Sequence, residues 1–219
     1  MNIVVICSSQ THPIYSSLES WVSKQRAQHS VSLVNKVKEL TQPAELLFLI
    51  SCSELVTKAT RSLFKKALVI HASDLPEGRG WSPHIWQVIR GADRFAVTMF
   101  EAEDAVDSGA IWAQRWVTLE GHELFDEINA KLFAAELELM DEAVAKFDTI
   151  APRAQDTRAP TYFPKRTPED SRLDPNASLA SQFEQLRVAD PVRFPAFFEY
   201  RGKRYYVQLS KTPFTASGQ

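Results

Sequence analysis

The amino-acid sequence predicts an α/β protein with a Rossmann-like, mostly parallel sheet flanked by helices and a small C-terminal β-hairpin extension. Short apolar runs rich in β-branched residues alternate with helical patterns up to about residue 148, and this alternation is typical of parallel sheets. After Asp148 the chain becomes rich in proline, arginine, aspartate and threonine and loses its helical period. We therefore expect a core domain over residues 1–150, and an irregular segment with a small helix and hairpin over residues 151–219.

The elements of the core follow from hydrophobic periodicity. Short apolar runs predict strands at residues 2–7, 31–34, 46–51, 67–71, 94–100 and 110–118. Helical spacing predicts helices at residues 15–28, 56–64, 83–90 and 121–147. Ser16 or Ser17 is the candidate N-cap of the first helix, and Gly91 is expected to end the third.

The C-terminal part has weaker patterns. Residues 151–177 are expected to be irregular, and residues 178–188 are expected to form a short helix. Two aromatic runs, 194–200 and 204–209, flank a turn in which Gly202 suits a positive φ, so we expect a β-hairpin there.

Composition excludes several classes of protein. The net charge of −2 and the pI near 6.2 indicate no broad electrostatic surface for nucleic acid. No apolar run reaches the ~18 residues of a membrane span, and the N-terminus lacks the basic stretch of a signal peptide. Cys7 and Cys52 are expected to be small buried residues rather than a disulfide or metal pair. We expect a cytoplasmic protein without a metal site or a membrane partner.

Two loops carry the candidate catalytic residues. His71 ends an apolar strand, and a loop with Pro76, Gly78 and Gly80 follows it. The second loop, 103–109, contains Asp107. Ionisable groups beside glycine-rich loops at strand ends are how α/β enzymes build sites. Each residue also has a structural explanation, because a strand-end histidine is most often just hydrogen-bonded and aspartate before Ser-Gly is a common turn former.

These loops resemble those of the N10-formyltetrahydrofolate-dependent formyltransferases. The first match is His71-Ala-Ser-Asp-Leu-Pro76 with Arg79-Gly80, Pro83 and Trp86, and the second is Asp104-Ala-Val-Asp107-Ser-Gly109. The resemblance extends from Met1 to about Phe147. The segments 162–170 and 187–198 are similar to those of formyltransferases acting on nucleotide-linked amino sugars. The loop 71–84 resembles the branch that serves pseudaminic acid biosynthesis.

The resemblance implies a role for each part of the site. His71 would be the acid and base of formyl transfer, and Asp107 would hold its imidazole or position a relaying water. N10-formyltetrahydrofolate would lie against Leu55, Val56, Glu103, Asp104, Ala105 and Val106. The acceptor, a small-molecule amino sugar, would meet Ser73, Arg79, Gly80, Trp81 and His84. Leu55, Val56 and Trp81 would also serve as ordinary packing residues.

One position departs from the family pattern. The family has a catalytic asparagine two residues before the histidine, and this chain has Val69 there. No asparagine occurs between Asn35 and Asn129. Because loss of an oxyanion donor costs ~10²–10³ in turnover, either Ser73, His84 or a backbone N–H replaces it, or the activity is impaired.

Several alternatives remain open from the sequence. Glycinamide ribonucleotide formyltransferase would not explain the tail after Ala151, and methionyl-tRNA formyltransferase is expected to have a longer, basic C-terminal domain. A folate- or nucleotide-sugar-binding module without catalysis is the alternative from another class. A homodimer through Trp81 and the tail aromatics is one option. Five basic residues of the tail could meet a nucleotide diphosphate: Arg153, Arg158, Lys165, Arg166 and Arg172.

Overall fold

A computed structural model describes residues 1–212 of the chain. Its strands are β1 Asn2–Ile6, β2 Ser30–Val34, β3 Ala44–Leu49, β4 Phe64–His71, β5 Arg79–Gly80, β6 Arg94–Glu101, β7 Ile111–Thr118, β8 Tyr162–Phe163, β9 Ala196–Tyr200 and β10 Lys203–Val207. Its α-helices are α1 Tyr15–Gln25, α2 Lys58–Arg61, α3 Pro83–Ile89, α4 Phe125–Ala145 and α5 Phe183–Arg187. Short 3₁₀ turns cover Val37–Glu39, Pro168–Ser171 and Ala180–Gln182.

The central sheet has six strands in the order β2-β1-β3-β4-β6-β7. The first four are parallel, whereas β6 and β7 are antiparallel to their neighbours. The predicted fold class is therefore confirmed. Because β1, β3 and β4 run in the same direction, the loops after all three open at one edge of the sheet, where ligands of such folds bind.

The larger hydrophobic core lies between one face of the sheet and helices α1, α3 and α4, and includes Leu18, Phe48 and Leu139. A smaller cluster, with Leu47 and Val56 among its members, covers the other face beside α2. The long helix α4 buries a stripe at helical spacing because its apolar residues recur every three or four positions. This packing leaves the carboxyl edge of the parallel strands to loops.

Several predicted boundaries are wrong. Neither Ser16 nor Ser17 caps α1, because the helix begins at Tyr15 and Ile14 is the residue before it. The predicted helix 56–64 shrinks to α2, because Thr57 caps it and Phe64 already begins β4. The long helix begins at Phe125 rather than near residue 121, because the Glu123 carboxylate accepts backbone hydrogen bonds from Glu120 and Gly121 in a preceding turn.

Two predicted turns agree with the structure. Gly91 follows α3 with φ +85°, and its N–H donates to the Val88 carbonyl at 2.8 Å, as expected of a glycine that ends a helix. Gly202 has φ +72° in the turn between β9 and β10, which pair as an antiparallel hairpin. Within residues 1–212, no helix is both long enough and apolar enough to cross a bilayer.

The segment after α4 returns to the carboxyl edge of the sheet. Its strand β8 pairs with β5 in the loop that follows His71, and Phe163 stacks on Trp86 of α3 with ring centroids 6.5 Å apart. The residues predicted to be irregular thus form part of the wall around the predicted site.

Candidate active site

His71 is the last residue of β4, and its side chain is only 11% exposed. Its Nε2 lies 2.8 Å from the Gly78 carbonyl oxygen. A carbonyl only accepts hydrogen bonds, so this contact assigns the proton of the neutral imidazole to Nε2. Nδ1 then retains a lone pair and can accept a proton.

Asp107 faces the same imidazole from the second loop. Its Oδ2 lies 3.8 Å from His71 Nε2 and accepts a hydrogen bond from the Gly80 N–H at 3.0 Å. The carboxylate is 12% exposed, so solvent screens it only weakly. An imidazolium formed at His71 would therefore be stabilised by Asp107, and the structure brings the two predicted catalytic residues together.

Two glycines permit this arrangement. Gly80 has φ +97°, and a Cβ there would lie 2.5 Å from the Phe163 carbonyl oxygen. At Gly109 an added Cβ would lie 1.8 Å from the Glu101 carbonyl oxygen. Both distances are too short for any side chain, so these two positions require glycine.

The tail segment holds both loops in place. Gln155 Nε2 donates to the Asp107 and Gly109 carbonyl oxygens at 2.9 and 3.0 Å, and its Oε1 accepts from Arg79. Thr161 Oγ1 accepts from the Gly78 N–H at 2.8 Å. Because Gln155 contacts both loops, it is a positioning residue for the His71–Asp107 pair, and periodicity gave no signal for it.

We predict that Gln155→Ala lowers kcat by about 10-fold to 10²-fold, because loss of its bonds lets the Asp107 loop shift from its position at His71. Steady-state kinetics should show a loss in kcat larger than any rise in KM. Gln182→Ala, a glutamine of the same tail that bonds only to tail residues, should leave both constants unchanged. Equal kinetics for the two variants would contradict the positioning role.

Val69 lies on β4 opposite Leu49 and Phe100, and it packs against Leu75, Phe100 and Ile111. An apolar wall therefore occupies the position of the family's asparagine. Two polar groups nearby are buried without a hydrogen-bond partner in the described chain, Ser73 Oγ and His84 Nδ1. Burial lowers the pKa of His84 to about 3, with His71 as the next cause, so its ring stays neutral near pH 7.

The predicted cofactor residues lie on two adjacent loops. Leu55 is 74% exposed and Val106 is 62% exposed, whereas Val56 is buried in the core. The backbone N–H groups of residues 103–106 make no hydrogen bond to another residue of the part described. Arg61 links the loops by donating to the Val56 carbonyl at 2.6 Å and pairing with Asp104. The Arg61 side chain is only 12% exposed, although its helix α2 lies at the surface in a stretch rich in basic residues.

Glu103, Ala105 and Asp104 are all exposed on the second loop. Exposed apolar side chains beside unpaired backbone donors suit a flat heteroaromatic ring, which needs both contacts. The residues present therefore fit a pterin. Val56 differs from these residues, because its side chain is 4% exposed and packs in the core cluster beside α2.

The predicted acceptor residues lie in the loop that follows His71 and in α3. Trp81 is 44% exposed, and the Lys165 ammonium lies 4.8 Å from the centre of its ring. Arg79 donates to Gln155, and its Nε is buried without a partner in residues 1–212. The sequence patterns did not identify Gln155, because it lies in a segment without a regular period.

The family model described as "Formyl transferase" matches residues 1–144. A methionyl-tRNA formyltransferase of Rickettsia typhi is 28% identical over 193 residues, which cover 87% of this chain and 60% of that protein. The chain thus spans about three fifths of the length of this curated relative.

Solved structures share the fold. Methionyl-tRNA formyltransferase from Clostridium thermocellum superposes with a TM-score of 0.82 at 21% identity, covering 97% of this chain and 93% of that one. A sugar N-formyltransferase from Shewanella sp. superposes with a TM-score of 0.74 at 16% identity, covering 98% and 99%. At these identities the superpositions establish the fold.

Proposed function

The chain belongs to the formyl transferase family, and we propose that it transfers the formyl group of N10-formyltetrahydrofolate to the primary amine of a nucleotide-linked amino sugar. It is a formyl-group transferase, and N10-formyltetrahydrofolate is the formyl donor of the family. The single observation that carries the proposal is the His71–Asp107 pair, whose side chains are largely shielded from solvent at the open edge of the sheet. We further propose an acceptor of the type that leads to a nonulosonic acid such as pseudaminic acid.

The donor, when bound between the loops 52–56 and 103–107, supplies an electrophilic formyl carbon attached to N10. Transfer of this carbon to the acceptor nitrogen would release tetrahydrofolate and would require one proton to pass from the acceptor nitrogen to N10. His71 can carry that proton, because Nδ1 accepts it while Nε2 remains bonded to Gly78. Asp107 stabilises the imidazolium during the transfer.

The formyl oxygen gains negative charge as the acceptor attacks, and Val69 offers it no hydrogen bond. We propose Ser73 as the replacement donor. Its hydroxyl is buried without a partner among the described residues, and its Cβ approaches Gly78, whose carbonyl holds His71. A hydroxyl held in place without a partner among residues 1–212 is available to a charge that develops in the transition state.

Ser73→Ala is therefore expected to lower kcat by about 10², the usual cost of one oxyanion donor. Ser108→Ala is the matched control, because Ser108 also lies beside the site but its hydroxyl bonds to the Ala105 carbonyl. Initial rates at saturating donor would measure the effect. If the Ser73→Ala enzyme keeps the wild-type kcat, Ser73 is not the oxyanion donor, and His84 or a backbone N–H takes that role.

A small-molecule acceptor is favoured over RNA by charge and by shape. The net charge of −2 provides little attraction for a polyanion, and the exposed Trp81 ring offers a stacking surface of sugar or base size. The alternative acceptor, a methionyl-tRNA, is favoured by the relative from Rickettsia typhi. The two acceptors differ in size and are easily separated by assay.

The test is release of tetrahydrofolate with a panel of acceptors: UDP- and dTDP-linked amino sugars, glycinamide ribonucleotide and methionyl-tRNA. We expect turnover with at least one nucleotide-linked amino sugar. Turnover only with methionyl-tRNA would favour the alternative. Binding of tetrahydrofolate without formylation of any amine would instead identify a binding module, as the Val69 substitution allows.

A further inference from the structure

A group of basic side chains from three parts of the fold takes no part in the proton transfer described above. We call it the basic cluster and define it as His12, His84, Arg166 and Arg193. His12 follows β1, His84 lies in α3, and the arginines come from the tail. The tail reaches α3 because Phe163 stacks on Trp86, and the Trp86 indole N–H donates to the Pro164 carbonyl at 3.0 Å. Arg166 follows two residues later.

Arg166 is the most unusual member of the basic cluster. It is 6% exposed, and its Nε is buried without a partner in the described chain. Its only side-chain hydrogen bond goes to the neutral Ser171 hydroxyl at 3.0 Å, and it forms no salt bridge within residues 1–212. A buried guanidinium with no directly bonded carboxylate is costly to maintain, because the carboxylates of Asp170 and Asp190 offset its desolvation only from longer range.

Arg193 adds a second positive charge at the same place. The Arg166 and Arg193 guanidinium carbons lie 4.9 and 6.0 Å from the centre of one ring, that of Phe194. Asp190 pairs with Arg193 at 2.5 Å, and its two carboxylate oxygens are already taken by Arg193 and by backbone N–H groups. Asp190, together with Asp170 at longer range, therefore opposes the two guanidinium charges, but among the described residues neither carboxylate bonds the Arg166 guanidinium.

The histidines supply neutral hydrogen-bonding groups. His12 Nδ1 accepts from the Ile14 N–H, so its Nε2 carries the proton. Burial lowers the pKa of His12 to about 4, and Arg193 is the next cause. The pKa of His84, lowered by burial, is lowered further by His71, Arg166, His12 and Arg193. His84 lies in α3 two residues before Trp86, which donates to the Pro164 carbonyl, so His84 and Arg166 come from adjoining segments.

We propose that the basic cluster binds the phosphate or diphosphate of the acceptor, with Arg166 and Arg193 as its charged contacts. The proposal rests on the proposed function and specifies its substrate: an amine whose phosphate lies on the His12 and His84 side of His71. Planar guanidinium groups match phosphate oxygens in two-point contacts. A bound phosphate would supply the partner that the buried Arg166 Nε lacks among the described residues.

The experiment compares Arg166→Met and Arg193→Met with Arg172→Met, a control from the same tail whose guanidinium pairs with Glu199 on the surface. Titration calorimetry with UDP, inorganic phosphate and uridine measures binding, and steady-state kinetics measures KM for both substrates. We expect each cluster variant to lose at least about tenfold in affinity for UDP and to raise KM for the nucleotide-linked acceptor similarly. The KM for N10-formyltetrahydrofolate should not change.

Thermal unfolding separates binding from a structural role. Because methionine replaces a buried, unpaired charge, Arg166→Met should unfold at the same or a higher temperature than the wild type without ligand. The wild type should gain stability with UDP, and the variant should not. A variant that unfolds earlier and is still stabilised by UDP would overturn the proposal. The Arg193 side chain is 34% exposed, so Arg193→Met repeats the test at a less buried position.

The three ligands distinguish the sources of binding energy. Inorganic phosphate should bind weakly at the basic cluster, UDP should bind more tightly, and uridine should not bind. Equal binding of uridine and UDP, or equal losses in the cluster variants and Arg172→Met, would overturn the proposal. If no amine is formylated but Arg166→Met abolishes UDP binding, the proposed function fails and the phosphate site stands. If an amine is formylated and the cluster variants keep the wild-type KM for the acceptor, the phosphate site is refuted and the proposed function stands.

Discussion

The His71→Asn enzyme is expected to have a kcat about 10³-fold below that of the wild type, because asparagine cannot carry a proton between the acceptor and N10. The asparagine amide can still donate to the Gly78 carbonyl, which now receives the His71 Nε2–H bond. The loop should therefore keep its path, and the loss should appear in kcat rather than in stability. Tetrahydrofolate release at saturating substrates measures it.

His122→Asn is the control for this prediction. His122 is exposed and pairs with Glu120 far from the two loops, so its replacement should leave kcat unchanged. Circular dichroism and the thermal midpoint should be the same for both variants. A His71→Asn enzyme that is folded and retains wild-type kcat would remove His71 from the mechanism and leave Asp107 without a partner.

The second large effect concerns stability. Glu136 lies on the buried face of α4 and is 8% exposed, and its Oε2 has no hydrogen-bond partner in the described chain. Burial raises the pKa of this carboxyl to about 8. The folded protein therefore keeps a proton on Glu136 over a range of pH in which the unfolded chain, with a pKa near 4.3, has lost it.

The sign of the pH dependence follows from this difference. Because the folded state binds the extra proton, the free energy of unfolding falls as pH rises from about 4.3 to about 8. Glu136→Gln has no such proton, so it should be more stable than the wild type near pH 8, by roughly 2–4 kcal/mol. The difference should nearly vanish near pH 5.

Urea unfolding of the two proteins at several pH values measures the effect. Glu138→Gln is the matched control on the same helix, because Glu138 is exposed and only distantly paired with Arg115. Its unfolding free energy should follow the wild type within about 0.5 kcal/mol at every pH. Parallel pH profiles for the wild type and Glu136→Gln would contradict the assigned ionisation.

The core could be predicted from the sequence wherever one physical effect dominates. Short apolar runs such as 46–51 and 67–71 are typical of buried strands, and the structure has β3 and β4 there. Gly91 and Gly202 were predictable because a positive φ excludes most other residues. Helix limits were less predictable, since α2 ends where Phe64 enters the sheet, a tertiary effect with no local signal.

The candidate site was predictable only in part. The motifs identified His71 and Asp107, and the structure brings them together. Gln155 and Thr161 were not foreseen, because a segment that binds through side chains to another loop needs no periodicity of its own. Arg166 appeared among five basic residues of the tail, and only its burial distinguishes it from the exposed Arg172.

The measurement that tests the central claim most directly follows an isotopically labelled formyl group from N10-formyltetrahydrofolate to product. The account predicts that the label appears by NMR as a formamide on the amino group of a nucleotide-linked sugar, at a rate that His71→Asn reduces about 10³-fold. Label that remains on the folate in the presence of every amino-sugar acceptor, or that reaches the sugar equally fast in the His71→Asn enzyme, would contradict it.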